Sequence, residues 1–408
     1  MTRSLIFDRD IVIVGLQPWD VEIGSNCKNL ALEFSQHNRV LYINAALDRR
    51  TIFTKKSNPK IKKRLAVVKG QKDGLIQVSE NLWEFYPDRI MESINWIPFT
   101  SIFDWLNCLN NKRFANCIKE VIGRLNFKNV ILFNDNDIFR SFYLKDLLKP
   151  SLSIYYSRDY LVGVNYWKRH GQRLEPELIA KSDICVANSS YLTNYCKKHN
   201  PSSYYVGQGC DLSDLLKKDS YNLPADIEHL SKPIIGYVGA LQSIRIDLNI
   251  VEYIATQRPD WNVVLVGPED NTFKKSKLHD VTNIIFCGAK DQEDLPSYIN
   301  AFTVCINPQL LNELTLGNYP RKVDEYLAMG KPVVATKTDG MELFKDFTYL
   351  GRNKEDYVTL IEKAIQEDSS ELQENRRKFA SLHTWEQSAA EIYQAIQLKE
   401  QQCQSVLL

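Results

Sequence analysis

The stretch Tyr319–Thr336, YPRKVDEYLAMGKPVVAT, decides the fold predicted for the second half of this chain. It has the pattern of a loop, a short helix, a glycine stop and a buried strand. Gly330 can end the helix in a left-handed conformation, and Val333–Ala335 is short, apolar and β-branched, as is typical of a parallel strand buried on both faces. Arg321 and Lys322 fall at the start of the helix, where free backbone N–H groups and the helix dipole favour an anion. The pattern therefore predicts a phosphate-binding junction of loop and helix.

Glu325 follows Lys322 within one helical turn, where a carboxylate can accept hydrogen bonds from sugar hydroxyls. The stretch resembles the nucleotide-sugar site of retaining GT-B glycosyltransferases in the large bacterial family 4, or group 1. That family usually has Glu-x7-Glu, a helix of small residues and Gly-x-Pro-Val-Val. Glu325 falls on the second Glu, which in the family holds the nucleotide ribose. Gly317 stands at the first position, and Glu313 or backbone amides near Asn318 are the candidates to replace the missing carboxylate.

Length and composition limit the classes of protein that need to be considered. The chain has 408 residues, which suggests two domains, and a net charge of +1 gives no argument for nucleic-acid binding. No apolar run reaches the roughly 20 residues that span a bilayer, and the first residues lack the apolar core of a signal peptide. Nine cysteines are scattered without a Cys-x2-Cys pair, and the histidines form no metal-binding pattern. We therefore expect a cytoplasmic protein without a bound metal or cofactor.

Two series of alternating strands and helices indicate a doubly wound α/β protein. One series opens at Asp10–Leu16, and the other restarts at Pro233–Gly239, again a strand that ends in glycine. The resemblance implies the GT-B fold, with two Rossmann-like domains and a cleft between them. The predicted domains are an N-terminal acceptor-binding domain, 1–212, joined by a C-terminal helix, 388–408; a linker, 213–231; and a C-terminal nucleotide-sugar domain, 232–387.

The second half supplies most of the predicted donor site. Glycines that end its strands permit a close approach of the backbone to a base or a phosphate. The family usually has a basic residue shortly after the first strand, and Arg245 stands at about that position, where a guanidinium can hold phosphate oxygens. An ordinary surface arginine is the alternative. The residues that the resemblance assigns to donor binding are Gly239, Gly267, Gly288, Ala289, Lys290, Glu313, Asn318, Arg321 and Glu325.

The first half gives weaker signals for the acceptor. Gly24, Ser25 and Asn26 follow the opening strand and are predicted to contact the acceptor, although a plain helix cap explains them equally well. Asp135 follows another strand and is assigned to the acceptor, with a capping turn as the alternative. Related enzymes have acidic residues facing the acceptor near the position of Asp159. The residues predicted to be catalytic are Asp159, Arg245 and Lys322.

A basic cluster and a run of aromatic residues in the first half suggest a further partner. The cluster can dock on an anionic membrane surface, although a solvated loop is the simpler interpretation. Its members are Lys55, Lys56, Lys60, Lys62, Lys63 and Arg64. The aromatic residues between Trp83 and Trp105 either form an acceptor groove or belong to the core. Together these features predict a cytoplasmic protein with an optional peripheral contact to the inner face of the membrane.

The function predicted from the sequence is transfer of a hexose from a nucleotide diphosphate sugar to a glycan or lipid-linked acceptor, in the synthesis of cell-surface polysaccharide. The resemblance implies retention of the anomeric configuration and no metal requirement. Two alternatives stay open at this point. One is a GT-B nucleotide-sugar epimerase, and the other is a scaffold that binds sugar nucleotides or a membrane surface without catalysis, which the missing first Glu favours.

Overall fold

The computed structural model describes residues 5–20, 25–212, 215 and 221–407. The chain divides into two compact units, of which the first comprises Met1–Gly207 with Trp385–Leu408, and the second comprises Gln208–Thr384. The first unit thus ends before the predicted boundary at 212, and it takes up the chain again at Trp385 instead of 388. The predicted linker, 213–231, is counted with the second unit, and part of it lies outside the described residues.

The first unit is built on an eight-stranded sheet in the order β3-β4-β2-β1-β5-β6-β7-β8. Neighbouring strands are parallel except β3 and β4, which are antiparallel. The inner strands are short apolar runs buried on both faces, as parallel strands covered by helices must be. The strands are β1 (Asp10–Gly15), β2 (Arg39–Ile43), β3 (Leu75–Ser79), β4 (Leu82–Phe85), β5 (Ile131–Asp135), β6 (Leu152–Ser157), β7 (Ile184–Ala187) and β8 (Ser203–Tyr205).

Helices cover this sheet and begin at side-chain caps where the sequence supplies them. Ser25 caps the first helix by accepting a hydrogen bond from the Lys28 backbone N–H, and Asp48 caps the second in the same way through Thr51. The helices are α1 (Asn26–Ser35), α2 (Arg49–Thr54), α3 (Pro59–Val68), α4 (Thr100–Arg124), α5 (Leu144–Leu148), α6 (Asn165–Lys181) and α7 (Ser190–Lys197).

The second unit has a six-stranded parallel sheet in the order β11-β10-β9-β12-β13-β14. This is the doubly wound order in which the direction of winding reverses between the first and fourth strands of the unit, here β9 and β12. The strands are β9 (Ile234–Val238), β10 (Asn262–Val266), β11 (Ile284–Gly288), β12 (Val304–Asn307), β13 (Val333–Thr336) and β14 (Tyr349–Gly351). The helices are α8 (Leu248–Gln257), α9 (Leu295–Ala301), α10 (Arg321–Ala328), α11 (Lys354–Glu367) and α12 (Ser370–Ala380).

The last helix, α13 (Trp385–Leu407), completes the first unit. Ile392, Tyr393 and Ile396 are fully or almost fully buried in the same cluster as Ile11 and Phe34. The Tyr393 hydroxyl also accepts a hydrogen bond of 3.1 Å from the Asn38 side chain. A segment that is remote in sequence therefore supplies part of the first hydrophobic core.

Glycines let the carboxyl ends of three neighbouring strands in the second unit approach closely. The Gly239 N–H donates to the Val266 carbonyl at 2.9 Å, and the Gly267 N–H donates to the Gly288 carbonyl at 2.8 Å. Gly267 has φ of +148°, and a Cβ there would lie 2.0 Å from the Gly239 carbonyl oxygen. Only a residue without a side chain fits such an approach.

We expect Gly267→Ala to destabilise the second unit far more than Gly288→Ala. The alanine at 267 meets backbone in an unfavourable φ region, which costs roughly 1–3 kcal/mol for the φ angle alone, with the clash added to it. Gly288 has φ of +68° but no atom within 4 Å of a built Cβ, so that it serves as a matched control. Hydrogen exchange of peptides from β9 and β10 measures the opening free energy of each variant. Equal losses in the two variants would contradict the close approach.

A buried carboxyl group in the first unit makes its stability depend on pH. Glu175 of α6 is 1% exposed and accepts hydrogen bonds from the Tyr155 hydroxyl at 2.7 Å and the Tyr195 hydroxyl at 3.3 Å. Burial raises the pKa of Glu175 to about 7, against an ordinary value of 4.5, and the two tyrosine hydrogen bonds oppose the rise. Because the folded pKa is the higher one, the stabilisation is complete below the ordinary value and is lost as the pH rises through about 7.

We predict that Glu175→Gln reduces the loss of unfolding free energy between pH 5 and pH 8 by about 3 kcal/mol, at about 1.4 kcal/mol per pKa unit. Glutamine keeps a neutral group at the site at every pH. Urea unfolding followed by tryptophan fluorescence measures the unfolding free energy of the first unit at each pH, since every tryptophan except Trp261 lies in that unit. Glu177→Gln, at a half-exposed position of the same helix, is the control and should keep the parent's pH dependence. Identical pH profiles for Glu175→Gln and the parent would refute the prediction.

Candidate functional site

The sheet order of the second unit points to one place for a ligand. In open α/β sheets, ligands bind beyond the carboxyl ends of the strands at the point where the winding reverses. That point lies between β9 and β12. The chain leaves β9 through Gly239 and Ala240, and it leaves β12 through Pro308 and Gln309. The predicted donor residues must therefore be judged by their distance from these two strand ends.

Lys322 lies directly at the end of β9. Its ammonium group donates a hydrogen bond to the Tyr237 hydroxyl and lies 4.2 Å from the centre of that ring. A Cβ on Gly239 would be 3.2 Å from the same nitrogen. The cation thus sits over the glycine turn that leaves β9, and Tyr237 holds it there without neutralising its charge.

Arg245 is tied to the loop that follows β12. With the Asn318 amide oriented so that its nitrogen donates to the Leu314 carbonyl at 3.2 Å, its oxygen accepts from Arg245 Nη1 at 2.8 Å. The Leu310 N–H donates to the Arg245 carbonyl, and the Asn312 side chain donates to the Ile244 carbonyl, both at 2.8 Å. The structure therefore brings Arg245 and Asn318, which are far apart in sequence, to the same end of the sheet.

Glu325 lies on α10 one turn from the two basic residues at the start of that helix. Its Oε1 is 3.5 Å from Arg321 Nε, and its side chain is 25% exposed. Burial raises the pKa of Glu325, whereas the charges of Arg321 and Lys322 lower it. The group is thus a partly desolvated hydrogen-bond acceptor beside two cations, which suits an interaction with hydroxyl groups.

The other predicted donor residues are arranged less favourably for a ligand. Gly288 bonds to Gly267 at the strand ends, and the neighbouring Ala289 is exposed. The Lys290 ammonium group lies 2.8 Å from Asp226, so its charge is already compensated. Glu313 is exposed in the loop after β12, and Gly317, at the position of the missing carboxylate, is buried.

A pair between the fully buried Asp324 of α10 and the partly buried His383 was not predicted from the sequence. Asp324 Oδ1 lies 2.6 Å from His383 Nδ1, and burial raises the pKa of Asp324 while His383 lowers it. The Tyr319 hydroxyl lies 3.5 Å from the same imidazole nitrogen. The pair fixes α10 to the last residues of the second unit. No local pattern marks it, because the two partners lie 59 residues apart in the sequence.

In the first unit, the predicted acceptor residues gather at the carboxyl ends of β1, β5 and β6. Ser25 is buried and caps α1, Asn26 is the first residue of that helix, and Gly24 lies outside the described residues. Arg158 donates to Asp135 at 2.8 Å through Nε and to Asp159 at 2.6 Å through Nη1.

Asp135 and Asp159 differ in their access to a ligand. Asp135 is fully buried, and burial raises its pKa against the opposing charge of Arg158. Asp135 is therefore an anchor for Arg158, which corrects the prediction that it contacts an acceptor. The Asp159 side chain is 35% exposed and stays available to a ligand.

The described residues contain neither a metal-ligand cluster nor a membrane-spanning helix. Within the described ranges, no three His, Cys, Asp or Glu side chains are grouped as metal ligands would be. In the same part of the chain, every helix is too short or too polar to cross a bilayer.

Comparisons with known proteins concern the family and the fold of this chain. Residues 232–367 match the sequence model of the family described as Glycosyl transferases group 1. "Putative teichuronic acid biosynthesis glycosyltransferase TuaH" of Bacillus subtilis (strain 168) is 29% identical over 161 residues. That match covers 37% of this chain and 40% of the relative, so it spans less than half of either protein.

Solved structures match over nearly the whole chain at low identity. Sucrose-phosphate synthase of Thermosynechococcus elongatus has a TM-score of 0.64 at 15% identity and covers 96% of this chain and 98% of its own. Anabaena HepE in complex with UDP has a TM-score of 0.63 at 14% identity, with 96% and 100% covered. Identities this low establish the fold and nothing further. The chain therefore has the GT-B fold, and residues 232–367 of its second unit are similar to the glycosyl transferases group 1 family.

Proposed function

We propose that this protein is a glycosyltransferase that takes a hexose from a nucleoside diphosphate sugar bound by its second unit. The observation that carries the proposal is the pair of cations, Arg245 and Lys322, held at the point where the winding of the second sheet reverses. The matched family and the TuaH relative support a transferase. Anabaena HepE, which has the same fold, has been solved with UDP and with UDP-glucose.

The proposed chemistry depends on stabilising the departing diphosphate. Breaking the bond between sugar and phosphate places negative charge on the phosphate oxygens, and positive groups already in position lower that barrier. Lys322, Arg245 and the start of α10 would supply those groups, and Glu325 would orient the ribose. Retention of configuration and independence of metal ions are part of the proposal and rest on the family resemblance.

The acceptor side of the proposal rests on the first unit. Asp159 combines exposure with a fixed orientation, since Arg158 holds its carboxylate and the Asn136 side chain bonds to the same turn. We assign Asp159 to acceptor contact. The TuaH relative is described as a protein of teichuronic acid biosynthesis, which favours a cell-surface glycan or its lipid-linked precursor as the acceptor.

Contact with an anionic membrane surface is a further part of the proposal. Large apolar side chains are exposed at the start of α4, among them Phe99, Ile102 and Trp105. Phe53, which is 86% exposed, stands beside the exposed Lys55 and Lys56. Apolar side chains next to lysines are typical of segments that lie on a membrane surface. The rest of the predicted basic cluster is partly engaged within the protein, because Lys60 and Arg64 both bond to Asp20.

We expect Lys322→Ala and Arg245→Ala each to lower the affinity for UDP about tenfold or more, since a hydrogen bond to a charged group contributes roughly 1.5–3 kcal/mol. A thermal-shift panel of nucleoside diphosphates and their sugars measures the effect, because ligand binding raises the melting temperature by mass action. Lys378→Ala removes an exposed lysine from α12 and is the control.

Turnover measured with the same variants, in the presence of EDTA, tests the enzyme proposal itself. Loss of both nucleotide binding and sugar transfer in Lys322→Ala supports the assignment. Unchanged affinity in both variants would refute the donor site. Nucleotide binding without transfer to any acceptor in a broad panel would favour the non-catalytic scaffold.

For the membrane contact, we predict that vesicles of phosphatidylglycerol and phosphatidylcholine sediment the protein, and that Lys55→Gln with Lys56→Gln weakens binding by about 2 kcal/mol, at about 1 kcal/mol per basic residue. Phe99→Ser with Trp105→Ser should weaken it as well. Pure phosphatidylcholine vesicles are the control. Equal binding to both kinds of vesicle, or none to either, would exclude an anionic membrane partner.

A further inference from the structure

The first unit contains a large open cavity whose lining includes Trp96, one of the aromatic residues for which the sequence left open an acceptor groove or the core. Its volume is about 800 Å³, and all the residues that line it belong to the first unit. They come from segments that follow β1, β2, β4 and β5 and from the first half of α6. A cavity of this size can hold several sugar rings, and its position at the carboxyl edge of a doubly wound sheet is where ligands bind.

Two arginines give this cavity an excess of positive charge. Arg50, an exposed residue of α2, forms no ion pair with any of the residues described. Arg169 donates from Nη1 to the Trp96 carbonyl at 2.8 Å, a neutral partner that leaves the guanidinium charge uncompensated. A third arginine of the lining, Arg140, is paired with the buried Asp137 at 2.7 Å.

The carboxylates of the lining do not cancel this excess. Glu92 is shared by Arg49 at 2.7 Å and Arg113 at 3.0 Å, so it is matched by cations outside the cavity lining. Asp48 accepts hydrogen bonds from Ser93 and Thr51, which fix it as the cap of α2. The lining therefore has one carboxylate not matched by an arginine, that of Asp48, and two arginines without a carboxylate partner among the described residues, Arg50 and Arg169.

An aromatic platform stands at the mouth of the same cavity. The Trp96 side chain is 68% exposed, yet its indole N–H donates to the Ser93 carbonyl at 2.7 Å. Arg169 holds the Trp96 carbonyl, so hydrogen bonds rather than packing fix this residue. Tyr166 and Trp167 from α6 also line the cavity. A rigid, exposed aromatic ring offers an apolar face to a flat ligand at little entropic cost.

We propose that this cavity binds an anionic saccharide, with Arg50 and Arg169 contacting its carboxylate or phosphate and Trp96 stacking on a sugar ring. Guanidinium groups match the planar geometry of carboxylates and phosphates, and stacking on an aromatic ring suits the apolar face of a pyranose. The inference rests on the proposed function, because it identifies this saccharide as the end of the acceptor that receives the hexose. It narrows the acceptor to a charged glycan.

The test measures binding to the full chain by titration calorimetry with three probes. They are a trisaccharide of galacturonic acid, the methyl ester of the same trisaccharide, and glucose 1-phosphate. We expect the free acid to bind at least tenfold more tightly than its ester. Arg50→Gln should abolish that difference, and Trp96→Ala should weaken both trisaccharides. Lys112→Gln removes one positive charge from the same unit outside the cavity lining and should change nothing.

The outcomes separate this inference from the proposed function. Equal binding of acid and ester, or an acid affinity that Arg50→Gln leaves unchanged, would overturn the anionic site. Binding of glucose 1-phosphate but not of the acid trisaccharide, lost in Arg50→Gln, would assign the arginines to phosphate and keep the site. UDP affinity is measured in parallel and should be unchanged in Arg50→Gln. Saccharide binding without UDP binding would support the anionic saccharide site and contradict the proposed glycosyltransferase function.

Discussion

The close approach of two strand ends is the constraint on which the candidate donor site depends. Where β9 and β10 finish, the Gly239 carbonyl occupies the space in which any side chain at 267 would stand. Because neither Gly239 nor Gly267 has a side chain, no side chain at these positions covers the backbone at the end of the sheet. Tyr237 can then hold the Lys322 ammonium group directly above the end of β9. A bulkier strand end would displace this cation from the point where the winding reverses.

Much of the fold could be predicted because its signals are local. The strands predicted at Asp10–Leu16, Pro233–Gly239 and Val333–Ala335 are β1, β9 and β13, each matched to within one residue at either end, because short apolar runs mark buried strands. Gly330 does end α10 in a left-handed conformation, with φ of +72°. The resemblance to group 1 glycosyltransferases is confirmed by the family match, and the expected GT-B fold is confirmed by the solved structures.

The parts of the sites that could not be predicted depend on contacts distant in sequence. The charge of Lys290 is compensated by Asp226, and Asp324 is paired with His383. The sequence around Lys290 or Asp324 does not indicate these partners. Burial of Asp135 was missed for the same reason. A carboxylate at the end of a strand is equally compatible with an exposed ligand contact and with an anchor for Arg158.

The loop after β12 shows how the chain is organised where the family's first Glu is missing. Asn312 and Thr315 bond to several backbone groups of the same loop, and Gly317 is buried within it. Asn318 then reaches Arg245. The loop is therefore held by amide and hydroxyl groups, and the buried Gly317 leaves the position of the family's first Glu without a carboxylate.

The place of α13 in the first core has a consequence for how the protein is made. Ile392, Tyr393 and Ile396 belong to the same buried cluster as Ile11, so the first core lacks these side chains while the ribosome is still translating the second unit. Domains usually fold in the order of their synthesis. Here the unit begun first is finished last, and the nascent first unit must leave a gap on its surface until the final segment emerges to fill it.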